Sequence, residues 1–376
     1  MADHSVSLSK DESKIVAALE EALKSEKTNQ LQSGTAINFY QFSYEASSIW
    51  HKGTIFPLTD SKSPFDKRRE RRVSFCIYDA KEERRMRDLV IQLFPIEDNA
   101  LLKPTFAAYN SMIEKTVLCC QPFSEYFSSW ISRQERVPVD GYLRDQAKQL
   151  IRSLLVFDEV LQLHGYVCDG LDDPKNYVMM DFQIKVLPYT IRKKEARDSE
   201  MIHKFKIATL LENHLNTIWK DIDVEEFIEC LRNRKFSLDM LLGHPIFLPP
   251  GHRMAVYMSL WKDTYTNRQK KLYGEITSYN NWVSRVPSNK TMWYILTYDP
   301  ENKGNSRIMY GNTAKDAHKY ARDTCSHYLK VWRQETKPHD REVASEEMVD
   351  KQLKVLLPGL LSKIYALSFD SAWKHI

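Results

Sequence analysis

Tyr310, Arg322 and His327 are side-chain types that together can cleave a phosphodiester whose nucleophile is already part of the substrate. RNA is such a substrate, because a 2′-hydroxyl lies beside each phosphate. A catalyst must then take the proton of that hydroxyl, neutralise the phosphate and protonate the departing 5′-oxygen. Histidine, with an unperturbed pKa of about 6.5, holds or releases a proton near neutrality. Tyrosine can orient a hydroxyl or act as a base. Arginine stays charged and offers a planar fork of donors that fits phosphate oxygens. A single histidine or tyrosine on a helix surface is more often structural or idle, so only their joint occurrence carries weight.

Helical spacing constrains the elements that must position these groups. Asp316, Tyr320, Asp323 and His327 fall on one stripe, and Ala317, Ala321, Thr324 and Tyr328 on another about 100° around, which leaves the first to face solvent or substrate. Arg322 does not share that stripe. Five residues on an unbroken helix separate it from His327 by about 140°. The spacing therefore predicts that the helix ends between them if both are to touch one phosphate, and the run Asp323-Thr-Cys-Ser326 is a poor helix former. Asp323 brings a further expectation: a carboxylate beside a phosphodiester repels it unless Arg322 or another cation offsets the charge.

The 376 residues exceed one ordinary core and point to two or three packed units. A hydrophobic content of 43% with few glycines excludes a disordered or fibrous chain. The net charge of +4 allows local RNA-binding clusters but supplies no overall basic field. Cys76, Cys119, Cys120, Cys168, Cys230 and Cys325 include no CxxC pair, so neither a zinc site nor a disulfide framework is indicated and a reducing compartment fits. Met1 to Lys10 lacks an apolar signal core, and no stretch approaches the roughly 20 apolar residues that span a bilayer. A soluble cytoplasmic protein without a membrane partner is expected.

Residues 10–32 read as an amphipathic helix through Ile15, Val16, Leu19, Ala22 and Leu23. Strand-like segments follow at Thr35 to Tyr44 and Val73 to Tyr78, around a polar loop from Asp60 to Arg72. A charged helix covers Lys81 to Leu93, a strand Lys115 to Cys120, and a helix Phe123 to Ile131. From Gly141 the apolar period becomes 3.6, with a long helix over Tyr142 to Leu163. Strands at Tyr177 to Met180 and Gln183 to Leu187 precede helices at His203 to His214, Val224 to Arg232 and Ser237 to Leu242. The basic run Lys67 to Arg72 carries acids within and beside it and reads as a solvated loop. Lys262, Arg268, Lys270, Lys271, Arg285, Lys290 and Lys303 are interleaved with Tyr279, Trp282, Trp293 and Tyr294. Such interleaving suits a phosphate-tracking surface with stacking platforms, and equally a packed core with solvated lysines. His203, His214, His244 and His252 have no metal-ligand spacing and read as structural; His318 is a weaker acid–base candidate than His327.

Leu161-Gln-Leu-His-Gly-Tyr-Val-Cys-Asp-Gly-Leu-Asp-Asp-Pro-Lys-Asn176 resembles the catalytic loop of protein kinases at Pro174 and Asn176. In that alignment Leu171 replaces the catalytic base, and Leu187-Pro-Tyr189 stands where the magnesium-binding Asp-Phe-Gly belongs. No glycine-rich loop precedes Val73 to Tyr78, and Tyr78 or its neighbour replaces the phosphate-pairing lysine. The resemblance implies a two-lobed pseudokinase that neither binds ATP nor transfers phosphate.

Leu242-Gly-His-Pro-Ile-Phe247 and the helix after it resemble the junction at which the nuclease domains of the RNase L and inositol-requiring-enzyme family begin. Tyr310, Asp316 and Arg322-Asp-Thr-Cys-Ser-His327 are similar to that family's tyrosine, aspartate and R-N-x-x-x-H pattern, with Asp323 in place of the asparagine. Leu356-Leu-Pro-Gly-Leu-Leu-Ser-Lys-Ile-Tyr365 resembles its closing helix, and Asn281-Trp-Val-Ser-Arg-Val-Pro287 its tryptophan loop. The resemblance covers about residues 35–376. It implies a metal-independent endoribonuclease without cofactors that leaves 2′,3′-cyclic phosphate and 5′-hydroxyl ends. His327 would be the general acid, Arg322 the phosphate clamp and Tyr310 the hydroxyl partner, with Asp323, Asp316 and Trp282 contacting RNA.

The implied organisation is α+β: a helical segment over residues 1–34, a kinase-like N-lobe over 35–130, a kinase-like C-lobe over 131–250, and an all-helical kinase-extension nuclease domain over 251–376. A homodimer is implied as well. With no sensor repeats ahead of the kinase-like part, dimerisation would be constitutive or concentration-driven. The alternative is an inactive pseudokinase and pseudo-nuclease that regulates by binding RNA or a partner.

Overall fold

The computed structural model describes residues 29–30, 35–38, 50–57, 71–110, 114–133, 142–196, 200–216, 222–264, 272–276, 279, 281–286, 292, 295–296, 310–335 and 345–372. They form a mixed α+β fold, rich in sheet toward the N-terminus and in helix toward the C-terminus. One compact unit takes residues 1–133 and 156–198, and a second takes 134–155 and 199–376. The boundary expected at residue 250 thus falls inside the second unit. Among the described residues no helix is long and apolar enough to cross a membrane.

The first unit is built on an antiparallel sheet in the order β1-β2-β3-β4-β6-β5. Its strands are β1 Asn29–Gln30, β2 Thr35–Asn38, β3 Trp50–Pro57, β4 Arg71–Asp79, β5 Pro104–Asn110 and β6 Lys115–Cys120. Val73, Phe75 and Cys76 of β4 and Val117, Leu118 and Cys119 of β6 are all buried, which is why these strands read as apolar runs without alternation. Helix α1, Glu83–Leu93, lies on β5 and turns Met86, Leu89 and Leu93 inward at helical spacing. Asn29–Gln30 departs from the expected helix over 10–32. It pairs with Ala36 and Ile37 as an edge strand, because the apolar helical pattern has ended by Leu23 and asparagine is a weak helix former. Residues 10–28 and 31–32 lie outside the described residues, as do 39–44 of the expected strand and 60–70 of the expected loop.

Two smaller ladders complete this unit. Strand β7, Glu125–Tyr126, joins β9, Tyr177–Met180, and β10, Gln183–Val186, while β8, Tyr166–Cys168, pairs with β11, Ile191–Lys193. Helix α2 is Phe127–Ser132, and α3, Asp145–Leu163, gives its C-terminal part to this unit. Leu171, expected from the resemblance to stand in place of the kinase base, is fully buried, and its carbonyl accepts from the Tyr177 hydroxyl at 2.5 Å. Asn176 donates to the Gly170 carbonyl at 2.8 Å, so this loop is tied to itself.

The second unit takes the N-terminal part of α3 and then α4 Glu200–Leu210, α5 Ile222–Arg232, α6 Leu238–Leu242, α7 Pro250–Thr264, α8 Ala314–Glu335, α9 Glu346–Leu356 and α10 Leu360–Ala372. Helix α7 packs against α8, α9 and α10. Met254 and Tyr257 of α7 meet Ala317, Tyr320 and Ala321 of α8, Leu353 of α9 and Leu361 and Ile364 of α10 in one core. Gly359, at φ +71°, makes the turn into α10, and a Cβ there would stand 2.5 Å from the Ile222 side chain.

A buried guanidinium joins three of these segments. Arg253 of α7 donates to Asp223 of α5 at 3.0 Å, to Asp350 of α9 at 2.9 Å and to the Pro245 carbonyl at 3.0 Å. Lys354 lies 3.8 Å from Asp223, and the Ser362 hydroxyl donates to Asp223 at 2.6 Å. Burial alone would raise the Asp223 carboxyl, but Arg253 and Lys354 bring it below its ordinary value; for Asp350 burial wins and the carboxyl is raised. Replacing Arg253 with methionine leaves two carboxylates buried without their shared cation. Arg253→Met is expected to cost about 3–5 kcal/mol, measured by urea unfolding followed by far-UV circular dichroism; a loss below about 1 kcal/mol would show the network to be dispensable.

Candidate functional site

Helix α8 begins with a reciprocal cap. The Asp316 amide donates to the Thr313 hydroxyl at 3.2 Å, and that hydroxyl donates to the Asp316 carboxylate at 2.5 Å. Asp316, expected to contact RNA, is thereby engaged in starting the helix. The pattern Thr313-Ala-Lys-Asp316 is a capping signature legible in the sequence.

Trp282 is fully buried, and its indole N–H donates to the Gly311 carbonyl at 3.1 Å. It anchors the backbone next to Tyr310, and its ring lies edge-on to Tyr310 at 6.3 Å. This corrects its expected role at the substrate, since no face of the indole is open to a base. Tyr279 is buried too, its hydroxyl donating to the Pro358 carbonyl, so neither aromatic is a stacking platform. Residues 268, 270, 271, 290, 293, 294 and 303 of that expected surface lie outside the described residues.

Tyr310, half-buried ahead of α8, donates its hydroxyl to Asp323 at 2.8 Å. Burial first, and the Asp323 carboxylate second, push its phenol above the ordinary tyrosine value. At neutral pH it is a hydrogen-bond donor. The Lys319 ammonium sits 5.4 Å from its ring centre.

Arg322 pairs with Asp323 at 2.9 Å, and its guanidinium lies 5.2 Å from the Trp261 ring centre. Its Nε is buried and has no hydrogen-bond partner. The helix runs unbroken from Ala314 to Glu335, contrary to the expected end between Arg322 and His327. The Arg322 side chain nevertheless reaches Asp323, on the stripe that carries His327. The weak formers are also held in helix by burial: Thr324 and Cys325 are buried, and the Thr324 hydroxyl bonds back to the Tyr320 carbonyl at 2.8 Å. His327 is exposed, one turn beyond Asp323 on the same stripe. That stripe is not open throughout, since Tyr320 is fully buried and donates to the Met292 carbonyl at 2.9 Å. The site thus brings together Tyr310, Arg322 and Asp323 by direct contact, with His327 a helical turn away. Trp261 and Lys319 carry no sequence signal that separates them from ordinary helix surface.

His318 is excluded as an acid–base group by its partners. One ring nitrogen, Nε2, is 2.9 Å from the Tyr257 carbonyl, which can only accept, so Nδ1 accepts from the Tyr273 hydroxyl at 2.8 Å. Burial pushes His318 down to about 4 and His244 down to about 3. Unfolded histidines titrate near 6.5, so below that pH the unfolded chain binds protons that the folded unit refuses. Stability is therefore full above pH 6.5 and falls as pH drops from there toward 4. Urea unfolding at stepped pH should show this slope, reduced in His318→Gln by about 1.4 kcal/mol per pH unit at most; an unchanged slope would contradict it.

Among the described residues no group of three or more His, Cys, Asp or Glu side chains could hold a metal ion. Compared with known proteins, the chain matches no family model and no curated sequence.

Proposed function

We propose that the chain is an endoribonuclease of the RNase L type that needs no metal, with its sheet-rich part a kinase-like scaffold that does not transfer phosphate and aligns two copies. The observation that carries this reading is the chain of contacts from Tyr310 to Asp323 to Arg322, with His327 exposed one turn further along α8. It gives a guanidinium and a phenolic donor one locus, and an imidazole access to solvent beside it.

In this mechanism Arg322 and Lys319 hold the scissile phosphate and balance the charge that builds on it. Tyr310, which keeps its proton, orients the 2′-hydroxyl. The 2′-oxygen bonds to phosphorus, its proton leaves to water, and the bond to the 5′-oxygen breaks as His327 protonates that oxygen. The products are a 2′,3′-cyclic phosphate and a 5′-hydroxyl.

The second reading, an inactive regulator that binds RNA or a partner, is favoured by one contact: Asp323 already occupies the guanidinium. Incubation of a mixed-sequence RNA with the full chain in EDTA separates the two. Cleavage to cyclic phosphate ends, reduced about 10²- to 10⁴-fold in His327→Ala, supports the nuclease. RNA bound but left intact by the wild-type chain supports the regulator. Full activity from a species that elutes as a monomer at high concentration would contradict the paired arrangement.

A further inference from the structure

Ion pairs along a helix ordinarily join residues three or four apart, because neighbours in sequence point about 100° away from one another. Arg322 and Asp323 are adjacent on an unbroken helix and still pair at 2.9 Å. The arginine root belongs to another stripe, with Lys315, Lys319 and Ser326, and its guanidinium has been drawn around the helix toward Asp323. Two contacts hold it there. Trp261 lies 5.2 Å from the guanidinium on one side, and Asp323, itself fixed by the Tyr310 hydroxyl at 2.8 Å, receives it on the other.

We infer that Asp323 is a built-in anion that engages one donor nitrogen of the Arg322 guanidinium, so that a backbone phosphate gains the whole fork of donors here only by exchanging with this carboxylate. The inference rests on the RNA reading above and adds how access to that site is controlled. Carboxylate and phosphate oxygens both accept from that donor nitrogen, so the two anions compete for it. Asp323 therefore has opposed effects: it places the cation near Tyr310, one helical turn from His327, and it lowers the cation's affinity for substrate. Asparagine at 323 keeps an acceptor for the Tyr310 hydroxyl and for Arg322 while removing the competing charge. Trp261 remains in place to hold the guanidinium.

The wild-type exchange trades one anion for another and releases no counterion at this contact. With the carboxylate neutralised, the same contact releases one, which steepens the dependence of log affinity on log salt by about 0.7 for a single strand. The tightening itself is expected to be about tenfold, since the pair is partly exposed and screened.

The test is fluorescence-anisotropy titration of a mixed-sequence, 2′-O-methyl single-stranded RNA, which cannot supply the nucleophile, with the full chain at several salt concentrations. Asp323→Asn should bind about tenfold more tightly than wild type, with the steeper salt slope, and the gain should vanish when Arg322→Gln is added. Asp323→Ser, which removes the charge with a different side chain, should shift affinity in the same direction. Equal or weaker binding by both neutral variants, or the same gain in the Arg322→Gln background, overturns the inference and leaves the nuclease reading standing if wild type cleaves RNA. If no variant binds RNA, the nuclease reading fails, and inorganic pyrophosphate becomes the probe. An Arg322-dependent gain with pyrophosphate keeps Asp323 as the competing anion, and no gain overturns it.

Discussion

The helical unit is organised around one buried cation. Arg253 reaches α5 through Asp223, α9 through Asp350 and the turn before α7 through the Pro245 carbonyl, so one side chain fixes segments more than a hundred residues apart in sequence. Arg253 and Lys354 together balance Asp223 and Asp350, which is what allows four ionisable groups to sit almost without solvent. The consequence reaches the candidate site through α7. Two turns beyond Arg253 that helix carries Trp261, the ring beside Arg322, and its buried face forms the floor on which α8 lies. A change in the seat of Arg253 would move the ring that lies against Arg322.

Much of this fold was legible because its periodicities are strong. The apolar run in β4, the charged helix α1, the long α3 and the helices α4, α5 and α6 of the second unit fall close to where the residue pattern puts them. What was not legible depends on partners distant in sequence. Nothing local marks Asn29–Gln30 as a strand; it becomes one because β2 offers an edge. The helix through Asp323 and Ser326 persists for the same kind of reason, since burial of Thr324, Cys325 and Tyr328 against the core outweighs weak intrinsic propensity.

The candidate site divides along similar lines. Tyr310, Asp323 and Arg322 could be nominated from their types and order, and they meet. Trp282 and Tyr279 could equally be nominated as stacking surfaces, because an aromatic flanked by lysines looks alike whether it faces solvent or core; burial decides, and both are core. Trp282 then gains a different importance as the anchor of Gly311. Asp316 shows the same ambiguity for a carboxylate near the start of a helix, where capping and substrate contact ask for the same residue.

Arg253 and Arg322 show how burial decides what one chemistry does. Each guanidinium is paired with a carboxylate at 2.9 Å. Around Arg253 the side chains of both partners are at most 4% exposed, so leaving the pair would strand a charge away from water, and the interaction behaves as structure. Arg322 and Asp323 keep 30% and 15% of their side-chain surface in solvent. Water can take over either charge as the pair opens, which lowers the cost of separation to the scale of ordinary surface pairs. The inner pair is thus suited to hold α7 in place and the outer one to be exchanged. A site that must bind an anion needs both: a cation free to change partners, and a scaffold that does not move when it does.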